Sequence, residues 1–304
     1  ICSQKTLSDS INIVQKAITP RTTHAILEGI LIKTHRGVLK LIGNNLNMGI
    51  KSCISADIQE DGSVVIPSRI FGDIIRRLPN SDIEIEVKEN YLVRIKSINS
   101  AFEIQGVSAD EYPDIEDIGE TDPLEIEQNL LKEMIQRTIF AIATDETRPI
   151  LTGALMEIED ENINIICLDG YRLALRRGKI GSFENKSVII PGSTLNEISR
   201  IIENDEEKLN ITVDDKNVLF DMGHTRIISK LLSGEFINYK QIIPQEYKTR
   251  LRLNVKTAYD ATERASLLAR EAKNNLIKLT IKEDKLIINS NSEIGTAHEE
   301  VPAN

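Results

Sequence analysis

Apolar residues first recur along the chain at helical spacing. Leu7, Ile11, Val14 and Ile18 fall on one face behind polar residues of capping type, which predicts an amphipathic helix. The period then drops to two. "ILEGILIKT" and "VLKLIG", on either side of Arg36-Gly37, read as paired strands. "SRIFGDIIRRL" returns to helical spacing, with Ser68 as the expected N-cap and Phe71, Ile74, Ile75 and Leu78 on one face. "DIEIEV", "YLVRIKS" and "AFEIQ" alternate again. Short turns between these strands imply mainly antiparallel pairing, hence an α+β class.

The same pattern occurs a second time. Ile26-Leu27-x-Gly29 returns as Ile150-Leu151-x-Gly153, and Val65-Ile66-Pro67 as Ile189-Ile190-Pro191. Tyr112 matches Phe236, while Leu7, Ile11, Ala17 and Ile18 match Leu131, Ile135, Ala141 and Ile142. Every pair is 124 positions apart. A constant offset over four blocks marks a duplicated unit of ordinary domain size. Within each copy a helix followed by strands occurs twice, so each domain is itself a doubled motif.

A third unit opens with a helix over "VKTAYDATERASLLAREA", followed by the strands "LIKLTI" and "KLIINS" around Glu283-Asp284-Lys285. Three domains are expected, at 1–121, 122–245 and 246–304, with "DIEDIGETDP" (114–123) as the clearest linker and a second boundary near "IIPQEYKT". Asn304 falls about half a repeat into the third domain, which predicts a truncated chain with uncovered sheet edges. Ile1 in place of an initiator Met predicts a few further residues before it.

Composition narrows the function. Without Trp, and with only 6 Tyr and 6 Phe in 304 residues, the chain lacks the ring platform of a single-strand reader. No apolar run approaches a membrane span, and "ICSQKTLSDS" has no apolar signal core. Cys2, Cys53 and Cys167 are scattered and odd in number, so buried thiols in a reducing cytoplasm are expected, not disulfides or zinc.

A net charge of −10 argues against nucleic acid only if it is evenly spread. The five predicted helical stretches (5–18, 68–78, 129–143, 193–203 and 256–273) together carry +4, leaving −14 elsewhere. Helices favouring Lys and Arg while turns collect Asp and Glu would explain part of that contrast. Arg76 and Arg200, however, occupy the same exposed place in the second helix of each repeat. Helices facing one way would make a faintly basic surface with an acidic exterior. Such a surface holds phosphates loosely and reads no base sequence.

In order along the chain, the tandem repeats, "RPILTGALME", "CLDGYRLAL", "VIIPGSTLNEI" and "SKLLSGEFINYKQIIP" resemble the bacterial DNA sliding clamps, the beta subunit of the replicative DNA polymerase. The resemblance covers all 304 residues. It implies three clamp domains per chain, with helices on one face and antiparallel sheets on the other. It further implies a head-to-tail homodimeric ring around duplex DNA, without sequence preference. No catalytic activity and no cofactor are implied. The partners would be DNA polymerase subunits, the clamp loader and repair proteins, which dock through short peptide motifs; no membrane is involved.

The family uses a hydrophobic slot between its second and third domains for those peptides. By position its near wall would be Leu151, Leu168, Gly170, Tyr171, Arg172 and Leu173, with Ile237, Gln241 and Ile242 added from the linker. The first repeat supplies a control: subtracting 124 from 168–173 gives "NNLNMG", a turn without ring or guanidinium. Tyr171 stands where His is common, Ile237 where Pro is frequent and Gln241 where Arg is often found. The extreme C-terminus that completes the family's slot would lie beyond Asn304. Arg21 and Arg148 fall on loops that the family turns toward DNA, although solvated loop arginines are an equal reading. Arg76, Arg200, Lys132 and Arg137 are the helical residues expected to face the duplex.

Two other classes share some of these features. An enzyme using Asp169 and Arg172, with His224, finds no support: HExxH, P-loop, GxSxG and zinc spacings are absent, and His24, His35, His224 and His298 are isolated. A peptide-binding scaffold without a DNA role shares the repeat and the slot, and only the arginine placement speaks against it.

Overall fold

A computed structural model describes residues 1–19, 22–115, 118, 122–145, 147–203 and 207–303. The chain divides into two compact units, Ile1–Phe236 and Ile237–Asn304.

In the first repeat, strand β1 (Cys2–Ser3) leads into helix α1 (Gln4–Val14). Strands β2 (Gly29–His35), β3 (Val38–Asn44), β4 (Met48–Ser55) and β5 (Ser63–Pro67) follow. Helix α2 (Ser68–Arg77) and strands β6 (Asp82–Val87), β7 (Leu92–Ser97) and β8 (Ser100–Gln105) complete the repeat. The second repeat runs through β9 (Leu124–Glu127), α3 (Gln128–Gln136), β10 (Gly153–Glu159), β11 (Asn162–Leu168), β12 (Leu173–Lys179) and β13 (Lys186–Pro191). It ends with α4 (Gly192–Ile201), β14 (Lys208–Val213), β15 (Asn217–Asp221) and β16 (Thr225–Lys230). Elements from α1 through α2 recur in α3 through α4 at the expected offset of 124; from β6 and β14 onward the offset becomes 125 to 126.

The helices form where periodicity placed them because each buries one stripe. Leu7, Ile11 and Val14 of α1, Phe71 and Ile75 of α2, and Met134 and Ile135 of α3 are wholly buried. Burying each such side chain is worth about 1.5–3 kcal/mol. Helix α1 packs on α2 and on β4, while α3 packs on α4. Ser68 is not the cap of α2. It is the first helical residue, Pro67 holds the cap position, and the Ser68 hydroxyl and carbonyl instead accept hydrogen bonds from Gln15 Nε2 at 3.1 and 2.8 Å.

All strand pairs are antiparallel, and one sheet crosses the repeat boundary. Its eight strands run β5-β2-β3-β4-β16-β15-β14-β9, joined where β4 meets β16 with Ile50 opposite Ile227 and Ser52 opposite Thr225. Two four-stranded sheets, β1-β6-β7-β8 and β12-β11-β10-β13, complete the first unit. Linker residues 114, 115, 118, 122 and 123 are described; the rest of the 114–123 stretch lies outside the described residues.

The second unit holds a short helix, α5 (Tyr239–Ile242), then α6 (Val255–Ala269) and the sheet β17 (Ile277–Ile281), β18 (Lys285–Ser292) and β19 (Gly295–Pro302). Asn254 caps α6 by accepting the Thr257 N–H at 3.1 Å. Ala261 and Ala265, one turn apart, let the helix lie close on Leu286, Ile288 and Val301. Among the described residues no helix is long and apolar enough to cross a membrane.

Candidate partner-binding turn and helical charge face

The turn between β11 and β12 and its counterpart in the first repeat share one backbone design. Asp169 Oδ1 accepts the N–H groups of Tyr171 (2.9 Å) and Arg172 (3.0 Å), and the Asp169 N–H donates to the Arg172 carbonyl. In the first repeat Asn45 Oδ1 accepts from Asn47 (3.1 Å) and Met48 (2.8 Å), and the Asn45 N–H donates to the Met48 carbonyl. The residue after each acceptor is left-handed, Leu46 at φ 72° and Gly170 at φ 95°. A side-chain oxygen two and three residues ahead of its donors fixes this turn, so Asn and Asp both serve.

What differs is the chemistry the turns carry. Arg172 Nε donates to Asp169 Oδ2 at 2.9 Å, and its guanidinium lies 5.7 Å from the centre of the Phe140 ring. The hydrogen bonds from the Arg172 and Tyr171 amides hold the Asp169 carboxyl below its usual range. Tyr171 is 100% exposed, Leu151 and Leu168 are buried, and Leu173 is half-buried. In the first repeat the equivalent ground is filled by the chain itself. Ile115 packs against Gly49, Asn44 Nδ2 donates to the Pro113 carbonyl, and Lys51 Nζ donates to the Ile115 carbonyl.

Of the expected wall residues, Leu168, Gly170, Tyr171, Arg172 and Leu173 follow one another through this turn, while Leu151 is buried on the short helical segment Pro149–Thr152. Ile237, Gln241 and Ile242 belong to the second unit, where all three are exposed, Gln241 and Ile242 on α5. Arg148, expected at DNA, has its guanidinium beside this turn, 3.7 Å from where a Cβ on Gly170 would stand. Phe140, which anchors Arg172, carried no signal in the sequence, because Lys16 stands at the matching place in the first repeat.

The helical arginines are each held by nearby acceptors. Arg76 donates to Asp73 (2.8 Å), Asn12 (2.8 Å) and Gln15 (3.0 Å). Arg200 donates to Glu197 at 2.9 Å, and the other Glu197 oxygen faces Lys16 at 3.5 Å. Lys16 follows Gln15 in the chain, so the segment that ends α1 meets Arg76 through Gln15 and, through the Lys16–Glu197 pair, reaches α4 of the second repeat. Arg137 is exposed and paired with Glu133 at 2.8 Å. Lys132 is half-buried and donates to the Ile202 carbonyl at 2.8 Å, which ties α3 to the end of α4. Arg21 lies outside the described residues. No group of three or more His, Cys, Asp or Glu side chains fit to hold a metal occurs among the described residues. Burial raises the Cys2 thiol above its ordinary value and pushes that of Cys167 up to about 11.

Comparison with known proteins agrees with this geometry. Residues 1–116, 125–238 and 240–304 match, in order, the N-terminal, central and C-terminal domains of the DNA polymerase III beta subunit. The chain is 38% identical over 309 residues to the beta sliding clamp of Bacillus subtilis, covering 98% of this chain and 82% of that protein. It is equally identical over 304 residues to the beta sliding clamp of Staphylococcus aureus strain Mu50, covering 97% and 81%. The crystal structure of the Bacillus subtilis sliding clamp superimposes with a TM-score of 0.93 at 35% identity, over 99% of this chain and 83% of that one. With the three domain matches in chain order, the chain belongs to the DNA polymerase III beta subunits, the bacterial beta sliding clamps, which are non-catalytic processivity factors of DNA replication.

Proposed function

We propose that this clamp encloses duplex DNA as a head-to-tail homodimeric ring and tethers its partners at the Asp169–Leu173 turn. The observation that carries the reading is that Arg76 and Arg200 stand at equivalent places of consecutive repeats, Arg76 held to α1 and Arg200 sharing Glu197 with Lys16 of the first repeat. Phosphates meet a sequence-blind surface there, and enclosure supplies the retention that so mild a charge does not. The three domains are assigned to 1–121, 122–245 and 246–304. Arg76, Arg200 and Arg137 face the duplex. Lys132 contributes from a half-buried place, and Arg148 stands at the turn.

The strand edges support the ring. Within the first unit β4 of one repeat pairs with β16 of the next. By order along the repeat, β8 is the counterpart of β16, and it forms the edge of its own sheet. Strand β19, likewise at an edge, is the counterpart of β4. Pairing β8 of one copy with β19 of a second would repeat the internal joint between chains.

At the turn, an exposed phenol and an anchored guanidinium over apolar ground suit a short extended peptide with apolar side chains. Polymerase subunits, the clamp loader and repair proteins would present such peptides in the cytoplasm, with Ile237, Gln241 and Ile242 as further contact residues. The ring is tested by retention. Protein loaded on a nicked plasmid should persist on the circle and be lost once the plasmid is linearised; equal retention on both forms refutes enclosure.

A further inference from the structure

The helical face holds its cations in an unusual way for a surface that meets phosphates. Asp73 and Arg76 in α2, and Glu197 and Arg200 in α4, are the same pair at the same two repeat positions, three residues apart. Each carboxylate lies one turn before its arginine, on the same side of the helix. Glu197 also faces Lys16, so one carboxylate answers two cations. In α2 the arrangement extends to the backbone. A Cβ on Gly72 would stand 2.6 Å from Gln15 Nε2 and 3.0 Å from an Arg76 guanidinium nitrogen. A glycine inside a helix costs about 1 kcal/mol relative to alanine. Here it leaves room for Arg76 to lie back along α2, toward Asp73, Asn12 and Gln15.

We propose that Asp73 and Glu197 attenuate DNA binding: by partly neutralising Arg76, Arg200 and Lys16, they keep the helical face from gripping phosphates while leaving it net attractive. The inference rests on the assignment of that face to DNA. Ion pairs whose arginines still reach solvent, as Arg76 and Arg200 do, contribute little to stability, so a duplicated pair at this position is better explained by its effect on a ligand. A phosphate reaching either arginine must share it with a carboxylate already bound. Fewer counterions are then released per contact, and the complex is both weaker and less salt-dependent. For a protein that translocates along DNA, shallow binding shortens each pause.

The test is a fluorescence anisotropy titration of a short labelled duplex over a salt series, with the unaltered chain and four double variants. Asp73→Asn with Glu197→Gln should bind more tightly than the unaltered chain. The slope of log affinity against log salt should steepen by up to about 1.8, the limit in which two arginines each gain a full phosphate contact. Between ~50 and ~200 mM salt the variant's advantage should therefore shrink, by up to about tenfold. Asp73→Glu with Glu197→Asp keeps the charges and should stay near the unaltered chain. Glu84→Gln with Glu103→Gln changes net charge equally, but at the Lys96 and Lys88 pairs of the β6-β7-β8 sheet; it should leave the slope unchanged. Arg76→Ala with Arg200→Ala should weaken binding. If the Asn/Gln variant binds no more tightly than the sheet variant, or shows no steeper slope, attenuation is overturned while the DNA face stands. If the alanine variant binds DNA as well as the unaltered chain, the face itself is misassigned and the inference falls with it.

Discussion

Gly49→Ala should destabilise the first unit of the native chain and stabilise it once Ile115 is alanine. A Cβ on Gly49 would stand 2.2 Å from Ile115 Cδ1, 2.8 Å from Cγ1 and 3.2 Å from Cγ2, so Ile115 must leave its seat on β4. Overpacking of this kind costs about 1–3 kcal/mol. Replacing glycine by alanine in extended backbone returns about 0.4–1 kcal/mol by restricting the unfolded chain. The net expectation is a loss of ~0.5–2 kcal/mol. Ile115→Ala alone, at a half-buried site, should cost ~1–2 kcal/mol, below the 2–5 of a fully buried isoleucine. In that background the three clashing atoms are gone, and only the stabilising contribution of alanine remains. Urea unfolding of the four proteins, followed by far-ultraviolet circular dichroism, gives the coupling. A change of sign with a coupling of about 1–3 kcal/mol supports a linker seated on β4. Coupling below ~0.5 kcal/mol would mean that Ile115 does not occupy that ground, and the contrast between the two turns would lose its basis.

Two further outcomes are expected. Tyr171→Ala with Leu173→Ala should weaken binding of a polymerase tail peptide in calorimetry with the fold intact, because Tyr171 is fully exposed and supports no packing; unchanged affinity would place the peptide elsewhere. Thr225→Val should stabilise the joint between the repeats, since the Thr225 hydroxyl is buried at the β4–β16 seam without a hydrogen-bond partner among the described residues. Removing such a hydroxyl is worth about 1–2 kcal/mol, or ~2–8 °C in melting temperature for a unit of this size, and a lower melting point would contradict it.

Much of the fold is legible along the chain because its information is local. The stripes of Leu7, Ile11 and Val14 and of Phe71 and Ile75 repeat at 3.6 residues, so the face each helix buries is written in its own residues. The offset of 124 needs only residue identity, and it locates the turn that Asn45 and Asp169 cap in the same way. The spacing of Asp73 to Arg76 and of Glu197 to Arg200 was equally visible, but a spacing of three residues alone does not say whether the side chains meet or face solvent. Ser68 shows the opposite failure: a residue of capping type was drawn into the first helical turn by Gln15, 53 residues earlier.

By itself, then, the sequence determined the duplicated modules, their helices and the capped turn, since each follows from contacts within a few residues. Tertiary structure alone decided that β4 joins β16, that Ile115 fills the first turn while Arg172 settles on Phe140 at the second, that Gln15 accepts from Arg76 and that Lys16 reaches Glu197 of the other repeat. The physical reason is range. An alternating strand offers the same hydrogen-bonding edge to any partner, and a long charged side chain takes its direction from whatever group folding brings within about 3 Å of it.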